Sequence, residues 1–230
     1  MANAVFALSV AIVGCRGVSD EAEAFPTFDE VAEEAGVDDA WDINQGVAAV
    51  DFNGDGWVDL YLGGPRQPGK LLNNQGDGSF VAQESFTASV AVNIGAFAAD
   101  MDGDGDMDLF LTCGSNAWAC PNGLYRNDAV DSGTGEVTFT EMSGAFGAGK
   151  PSFGSAGAAW DDVNLDGHLD LFVANRVLGV VKESSENGVA KAPDRLFLNQ
   201  GDGTFVDATE EAGVGGAVQL PGGLYFRPEQ

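Results

Sequence analysis

Three stretches of the chain repeat one pattern of acidic residues and glycine between two apolar runs. They read Asp51-Phe-Asn-Gly-Asp-Gly-Trp-Val-Asp59, Asp100-Met-Asp-Gly-Asp-Gly-Asp-Met-Asp108 and Asp162-Val-Asn-Leu-Asp-Gly-His-Leu-Asp170. Each stretch is followed by Leu-(Tyr/Phe)-(Leu/Val), and the three begin at residues 51, 100 and 162, which gives spacings of 49 and 62 residues. A period of this length indicates a repeat protein in which each unit is one supersecondary motif.

Two further elements recur between these loops. The sequence Asn-Gln-Gly-Asp-Gly-(Ser/Thr)-Phe occurs at 74–80 and 199–205, and a degraded copy begins at Leu124 in the middle unit. A closing element, Phe-x-x-x-x-Glu-Glu-Ala-Gly-Val, occurs at 28–37 and again at 205–214. The repeat region therefore extends over residues 28–214.

Each unit is predicted to contain short strands joined by turns, because apolar runs flank the acidic loop and a Gly-Asp-Gly turn. In the first unit the expected strands are 46–50, 58–62, 70–73 and 79–82, and only residues 28–35 have a helical pattern. Four-stranded antiparallel units that recur in series are typical of β-propeller blades. The predicted fold class is therefore all-β, with three blades and parts of others.

The loops have the chemistry of a calcium site. Calcium takes six to eight oxygen ligands, and a short loop supplies them when side-chain oxygens alternate around a sharp turn. Positions 1, 3, 5 and 9 of each loop are Asp or Asn, position 6 is Gly, and position 7 varies, as expected of a residue that offers only its carbonyl. The expected ligands are Asp51, Asn53, Asp55, Trp57 and Asp59; Asp100, Asp102, Asp104, Asp106 and Asp108; and Asp162, Asn164, Asp166, His168 and Asp170, with Trp57, Asp106 and His168 acting through the backbone carbonyl.

Other interpretations of the loops fit less well. An EF-hand needs a bidentate Glu at position 12, where this chain has Leu62, Leu111 or Val173. Asp-Gly clusters also form ordinary turns, but three loops in one frame favour Ca²⁺, and magnesium seldom uses such all-protein cages. The second loop has four ligand carboxylates with Asp106 beside them, so we expect it to depend most on metal, because like charges repel without a cation.

The units resemble FG-GAP or VCBS repeats, the blades of the integrin α-subunit propeller. The Asn-x-Gly-Asp-Gly-x-Phe element and the closing element are similar to those of bacterial relatives of cartilage acidic protein, although no ASPIC/UnbV domain is recognisable. The resemblance implies calcium at the loop positions, an extracellular setting, and adhesion or ligand binding without catalysis. Propeller rings contain four to eight blades, so three units predict an incomplete propeller whose open blade edges could pair with another copy.

Segments outside the repeats suggest export. Residues 1–15 are apolar and end in Ile-Val-Gly-Cys15, which resembles a lipobox with Cys15 as the lipidated residue, although no Lys or Arg precedes it. We expect residues 16–27 to be an acidic tether and residues 215–230 the tail of a truncated further repeat. Cys113 and Cys120 lie close enough in sequence for a disulfide, with two free thiols as the alternative.

The composition excludes one class of partner. A net charge of −26 argues against nucleic acid, because binding to phosphates needs clustered Lys and Arg. The partner is expected to be a protein or a glycan. A lectin-like module, with Trp41 or Trp118 stacking on sugars, and an accessory part of a polysaccharide-acting enzyme remain the alternatives. Enzymatic activity is not expected, because the only histidine, His168, lies inside a metal loop.

Overall fold

The structure is a computed structural model that describes residues 29–38, 45–64, 68–86, 88, 90, 92–114, 121–129, 137–142, 144–146, 154–176, 192–215, 218–220 and 223–225. Three sheets of four antiparallel strands dominate it, and in each sheet the strands lie in chain order. The predicted all-β class and the four-stranded blades are therefore confirmed.

The blade strands are short and regularly arranged. The first blade contains β1 (Gly46–Val50), β2 (Asp59–Gly63), β3 (Lys70–Asn74) and β4 (Phe80–Gln83); the second contains β5 (Asn93–Ala99), β6 (Asp108–Cys113), β7 (Gly123–Asn127) and β8 (Phe139–Glu141); the third contains β9 (Gly154–Asp161), β10 (Asp170–Arg176), β11 (Arg195–Asn199) and β12 (Phe205–Asp207). The expected strands of the first unit differ from these bounds by one residue at most.

Each acidic loop joins the first two strands of its blade. The strand pairs Val50–Asp59, Ala99–Asp108 and Asp161–Asp170 close the three loops at their bases. Because a strand pair fixes both ends of the loop, the ninth loop residue is also the first residue of a strand. The acidic loops thus lie at the same end of all three blades.

Alternating side chains give every blade two apolar faces. Leu60 and Leu62 lie on the face that we call the leading face, while Tyr61 and Leu71 lie on the opposite, trailing face. The trailing face of the first blade packs against the leading face of the second, where Leu109 is fully buried. The second and third blades repeat this arrangement. Phe110 and Leu124 on the trailing face of the second blade pack against Leu171 and Val173 on the leading face of the third. The core is therefore divided between the blade interfaces.

The helix is shorter than the sequence indicated. The sequence pattern predicted helix over 28–35, but α1 spans Ala32–Ala35 only. Asp29 forms a β-bridge instead, and Gly36 ends the helix in the left-handed conformation with φ 72°. The helix packs its buried Ala35 against the leading face of the first blade.

The described residues also include one helical turn and one hairpin outside the blades. Residues 144–146 form one 3₁₀ turn, and the tail contains a two-stranded hairpin of β13 (Val218–Leu220) and β14 (Gly223–Tyr225). The assignment of residues 215–230 to a further repeat stays a prediction. Within the described ranges, the chain has no helix with the length and apolar character needed to cross a membrane.

We expect Tyr61→Phe to leave the protein as stable as before or to stabilise it by about 1 kcal/mol. The Tyr61 side chain is fully buried, and its hydroxyl has no hydrogen-bond partner among the residues that the structure describes. Removal of that hydroxyl therefore removes an unsatisfied polar group and leaves the ring in place. Urea unfolding measures the effect, and a loss of more than 1 kcal/mol would show that the hydroxyl has a partner.

Candidate metal centres

The ninth loop residue is a buried carboxylate that joins the loop to two strands. Asp108 is 0 % exposed, and its two oxygens accept hydrogen bonds from the backbone N–H groups of Met101, at 2.7 Å, and Asn127, at 2.8 Å. The other two blades repeat this geometry, with Asp59 bonded to Phe52 and Asn74 and with Asp170 bonded to Val163 and Asn199. The predicted closing position thus has one geometry in all three loops.

The first loop residue shapes the turn. Asp100 accepts the backbone N–H groups of Gly103 at 2.8 Å, Asp104 at 3.1 Å and Gly105 at 3.1 Å. Asp51 and Asp162 accept the N–H of the sixth-position glycine in the same way, at 2.7 and 2.9 Å. A carboxylate oxygen has two lone-pair directions, so Asp100 Oδ2, which accepts the N–H of Gly105, can also bind a cation.

Glycine at position 6 meets a backbone requirement. Gly56, Gly105 and Gly167 have φ values of 88°, 97° and 90°, a region that side chains disfavour. Position 4 is also left-handed, and there the third loop has Leu165, with φ 60°, as the one described residue other than glycine with positive φ. The loop conformation is therefore kept even where a side chain strains it.

The second loop forms a cluster that could hold a cation. One carboxylate oxygen from each of Asp100, Asp102 and Asp108 lies within 4.8 Å of the other two, and this is the one such acidic group found among the described residues. Arg126 approaches the cluster, but its Nε is bonded to Asp128 at 2.7 Å. Burial raises the pKa of Asp108 to about 7, and burial together with the neighbouring Asp104 raises the pKa of Asp102. Burial and like-charge repulsion both favour the protonated carboxyl groups, and a bound cation would act in the opposite direction.

The first and third loops differ from the second at position 3. Asn53 Nδ2 donates to Asp55 at 3.0 Å, and Asn164 Nδ2 donates to Asp166 at 2.8 Å. An amide can bond to the carboxylate two residues later, whereas Asp102 in the second loop cannot donate. Binding of a cation in the first and third loops would exchange this hydrogen bond for a contact with the amide oxygen.

The seventh position also packs against the Gly-Asp-Gly turn. A Cβ atom added at Gly76 would lie 2.8 Å from the Trp57 ring, and one added at Gly201 would clash with the His168 ring. These aromatic residues therefore cover the hairpin that follows. Asp106 at the same position is 3 % exposed. Binding of a cation by the backbone carbonyls of Trp57, Asp106 and His168 stays a prediction.

Three asparagines support the loops and were not among the predicted site residues. Asn74, Asn127 and Asn199 end the third strand of each blade, and their side-chain amides donate to the carbonyl of the eighth loop residue at 2.9, 3.2 and 3.1 Å. The sequence signal was available, because Asn follows Leu at the same distance in each blade, in Leu71-Leu-Asn-Asn74, Leu124-Tyr-Arg-Asn127 and Leu196-Phe-Leu-Asn199. A strand residue that is polar and buried needs such a partner.

Two of these asparagines also connect neighbouring blades. Asn127 Nδ2 donates to the carbonyl of Phe52 in the first loop at 2.7 Å, and Asn199 Nδ2 donates to the carbonyl of Met101 in the second loop at 2.8 Å. In both cases the acceptor carbonyl belongs to the residue at loop position 2, whose N–H donates to the Asp at loop position 9. Loop geometry and blade stacking are therefore coupled.

Several predicted positions lie outside the described residues. They are Cys15, Cys120, Trp41 and Trp118, together with residues 1–15 and 16–27. Cys113 is buried and disulfide-bonded. Its predicted partner is one of the residues that lie outside the described ranges.

We expect the metal-free protein to lose stability as pH rises from about 4 to 7. Burial raises the pKa of Asp59 to about 6 and that of Asp108 to about 7. Each folded-state pKa exceeds the unfolded value, so folding favours the protonated form, and this contribution is lost as pH rises through the folded pKa. Urea unfolding in EDTA should show the decline, and the double variant Asp59→Asn/Asp108→Asn should flatten it.

Calcium should reverse that dependence, because the metal binds the ionised carboxylate. An equal pH profile in calcium and in EDTA would contradict the assignment of Asp59 and Asp108 as ligands.

Comparison with known families agrees with this geometry. Residues 51–111 match the family model described as an FG-GAP-like repeat. The match begins at the first residue of the first loop and ends in β6, directly after the second loop. The search of curated proteins found no match to the chain. The resemblance inferred from the loops is therefore confirmed as that of an FG-GAP-like repeat.

Proposed function

Because residues 51–111 match an FG-GAP-like repeat, we propose that this chain is a calcium-binding module that acts outside the cell in adhesion or ligand binding, without catalysis. The repeat itself indicates an integrin-like repeat module. The ion, the location and the role are the parts that we propose.

The observation that supports calcium most directly is the carboxylate cluster of Asp100, Asp102 and Asp108. Three carboxylates with oxygens within 4.8 Å of one another repel strongly, and Asp108 is fully buried. A buried charge is costly unless it is paired or coordinates a metal. The side-chain and backbone oxygens at loop positions 1, 3, 5, 7 and 9 suit a hard cation that takes many oxygen ligands. This number of protein ligands favours calcium over magnesium.

The location is supported by the disulfide-bonded Cys113. Disulfides persist in oxidising compartments and are rare in the cytosol of ordinary cells. The net charge of −26 supports a protein or a glycan as the partner, because it disfavours the binding of nucleic acids.

The absence of catalysis is supported by the position of His168. Its ring lies against the backbone of Gly201, so the side chain has a packing role in the third loop. The buried acidic residues at the ninth loop positions accept two backbone hydrogen bonds each, which holds them in the loop. These contacts support a role of the apolar blades as a scaffold and of the loops as sites for a cation.

Thermal melts of the full chain in calcium, in magnesium and in EDTA test this proposal. We expect a higher melting temperature in calcium than in EDTA, and a much smaller effect of magnesium. At ten times Kd, each occupied site adds about 1.4 kcal/mol. Identical melts in calcium and EDTA would overturn the calcium part of the proposal. Treatment of intact cells with an external protease tests the location. We expect the protease to remove the protein.

A further inference from the structure

The ninth-position carboxylates of the first and second loops are joined by a series of hydrogen bonds that crosses the blade interface. The Asp108 carboxylate accepts the N–H of Asn127 at 2.8 Å, and the Asn127 side chain donates to the carbonyl of Phe52 at 2.7 Å. The Phe52 N–H donates in turn to Asp59 at 3.0 Å. We call this series the first relay, and it connects the second loop to the first through two residues.

A second relay of the same form connects the third loop to the second. Asp170 accepts the N–H of Asn199 at 2.9 Å, and the Asn199 side chain donates to the carbonyl of Met101 at 2.8 Å. The Met101 N–H then donates to Asp108 at 2.7 Å. Asp108 belongs to both relays, because its Oδ1 accepts the N–H of Asn127 and its Oδ2 accepts that of Met101. The second loop is therefore bonded to both of its neighbours.

Each asparagine amide also holds the loop of its own blade. A side-chain amide nitrogen carries two hydrogens, which is enough for two acceptors. Asn127 Nδ2 donates to Phe52 in the first loop and to the carbonyl of Met107, at position 8 of the second loop, at 3.2 Å. Asn199 Nδ2 donates in the same way to the second and third loops. Because one amide bonds to two loops, order in one loop favours order in the other.

Apolar packing holds the residue at loop position 2 as well. Phe52 is fully buried in the cluster between the first two blades, with Tyr61 and Leu109. Met101 is 4 % exposed and belongs to the cluster between the second and third blades, with Leu171. The N–H and the carbonyl of each residue lie on either side of one Cα atom. A movement of this residue would therefore disturb both the bond to the ninth-position Asp and the blade interface.

A cation in the second loop would order both relays. Oxygens of Asp100, Asp102 and Asp108 lie within 4.8 Å of one another, and these carboxylates repel when no cation is bound. A cation held by them would fix Asp108, which in turn orients the N–H groups of Met101 and Asn127. When a first ligand orders an element that a second ligand also needs, the second binds at a lower entropic cost. The expected result is positive cooperativity between the loops.

We propose that the second loop binds its cation first and thereby raises the affinity of the first and third loops, with Asn127 and Asn199 as the positioning residues that couple the sites. This inference rests on the proposed calcium-binding function. The second loop has four ligand carboxylates, whereas each neighbour has three, and calcium affinity depends on the number of charged ligands. Coupling is reciprocal, so an ion in a neighbouring loop raises the affinity of the second loop by the same factor.

Electrostatics alone predicts coupling of the opposite sign. A cation bound in one loop neutralises part of the negative field that attracts cations to the neighbouring loops, so it lowers their affinity. Salt at physiological ionic strength weakens this effect without reversing it. Positive coupling therefore requires a structural connection between the loops, which the relays provide.

Calcium titration of the full chain, followed by amide NMR, tests the proposal with one probe in each loop. The N–H groups of Gly56, Gly105 and Gly167 donate to the first-position Asp of their own loops at 2.7, 3.1 and 2.9 Å. Their resonances therefore report the occupancy of each loop separately. For the native chain, we expect the Gly105 resonance to shift at the lowest calcium concentration.

The double variant Asp102→Ala/Asp104→Ala removes two ligands of the second loop and keeps Asp108 and both asparagines. It should raise the Kd of the first and third loops by about fivefold or more, since allosteric coupling typically changes affinity by at least that factor. Unchanged or lower Kd values in these loops would overturn the coupling and leave calcium binding in place. Unchanged glycine resonances throughout the native titration would overturn calcium binding, and the coupling with it.

Two matched variants separate the relays from a general loss of stability. Asn127→Ala interrupts the first relay only, and Asn199→Ala interrupts the second only. In the Asn127→Ala background, the double loop variant should no longer change the Kd of the first loop but should still change that of the third. Asn199→Ala should give the reverse result. Loss of both couplings in either background would show that the asparagine acts through overall stability and is not a positioning residue.

Circular dichroism checks that each variant is folded. If an asparagine variant does not fold, the double loop variant still decides the proposal, because it leaves both relays intact.

Discussion

The Asp108→Asn variant is expected to bind one calcium ion fewer than the native chain and to lose most of the stabilisation that the second loop gains from calcium. Asp108 is one of three residues that converge within 4.8 Å, and its carboxylate also accepts the N–H groups of Met101 and Asn127. An amide at this position provides one acceptor oxygen and no charge. At ten times Kd, the lost stabilisation is about 1.4 kcal/mol.

The comparison in EDTA separates the ligand role from the structural role. Removal of the buried charge offsets part of the lost hydrogen bonding, so the variant should differ less from the native chain in EDTA than in calcium. Glu84→Gln is the matched control, because it removes one exposed negative charge away from the loops. Equal destabilisation of Asp108→Asn in calcium and in EDTA would show that Asp108 has no ligand role.

Asn127→Ala is expected to destabilise the protein by about 3 kcal/mol or more, because it leaves several buried polar groups without partners. The Asn127 side chain is fully buried and donates to the carbonyls of Phe52 and Met107. Its Oδ1 accepts the N–H of Ala129 at 3.2 Å. The variant removes all of these hydrogen bonds, including the one between the first two blades. Urea unfolding in calcium measures the loss.

Asn74→Ala is the control for the contact between blades. Asn74 donates to Val58 within its own blade and accepts the N–H of Gly76 at 2.9 Å, but it has no described partner in another blade. Its replacement should cost less than that of Asn127, and Asn199→Ala should resemble Asn127→Ala. If Asn74→Ala lowered the free energy of unfolding as much as Asn127→Ala, the hydrogen bond to the Phe52 carbonyl would make no measurable contribution to stability.

The strands and loops could be predicted because their signals are local. Apolar runs on either side of an Asp-rich loop define two strands of a hairpin, and glycine at the sixth loop position meets the positive φ that the turn requires. Repetition in three units made the boundaries sharper, so that β1 was predicted without error at Gly46–Val50.

Features that depend on contacts between units could not be predicted in this way. The bond from Asn127 to Phe52 joins residues 75 positions apart. The second loop is the richest in carboxylates by sequence, but the approach of three of their oxygens to within 4.8 Å of one another depends on side-chain conformations. The helix ended up shorter than its sequence pattern because Asp29 belongs to a β-bridge. The bond from Asn127 to Phe52 and the bridge at Asp29 are therefore decided by contacts outside the local sequence.

Calcium titration of the full chain by isothermal calorimetry tests the central claim, that the three acidic loops are cation sites. We expect saturable binding of about three ions, with Kd on the order of 0.1 to 1 mM as in extracellular calcium-binding modules. Asp108→Asn should reduce the stoichiometry by one. A titration without heat of binding, together with an unchanged melt in EDTA, would contradict the claim and leave the loops as acidic turns.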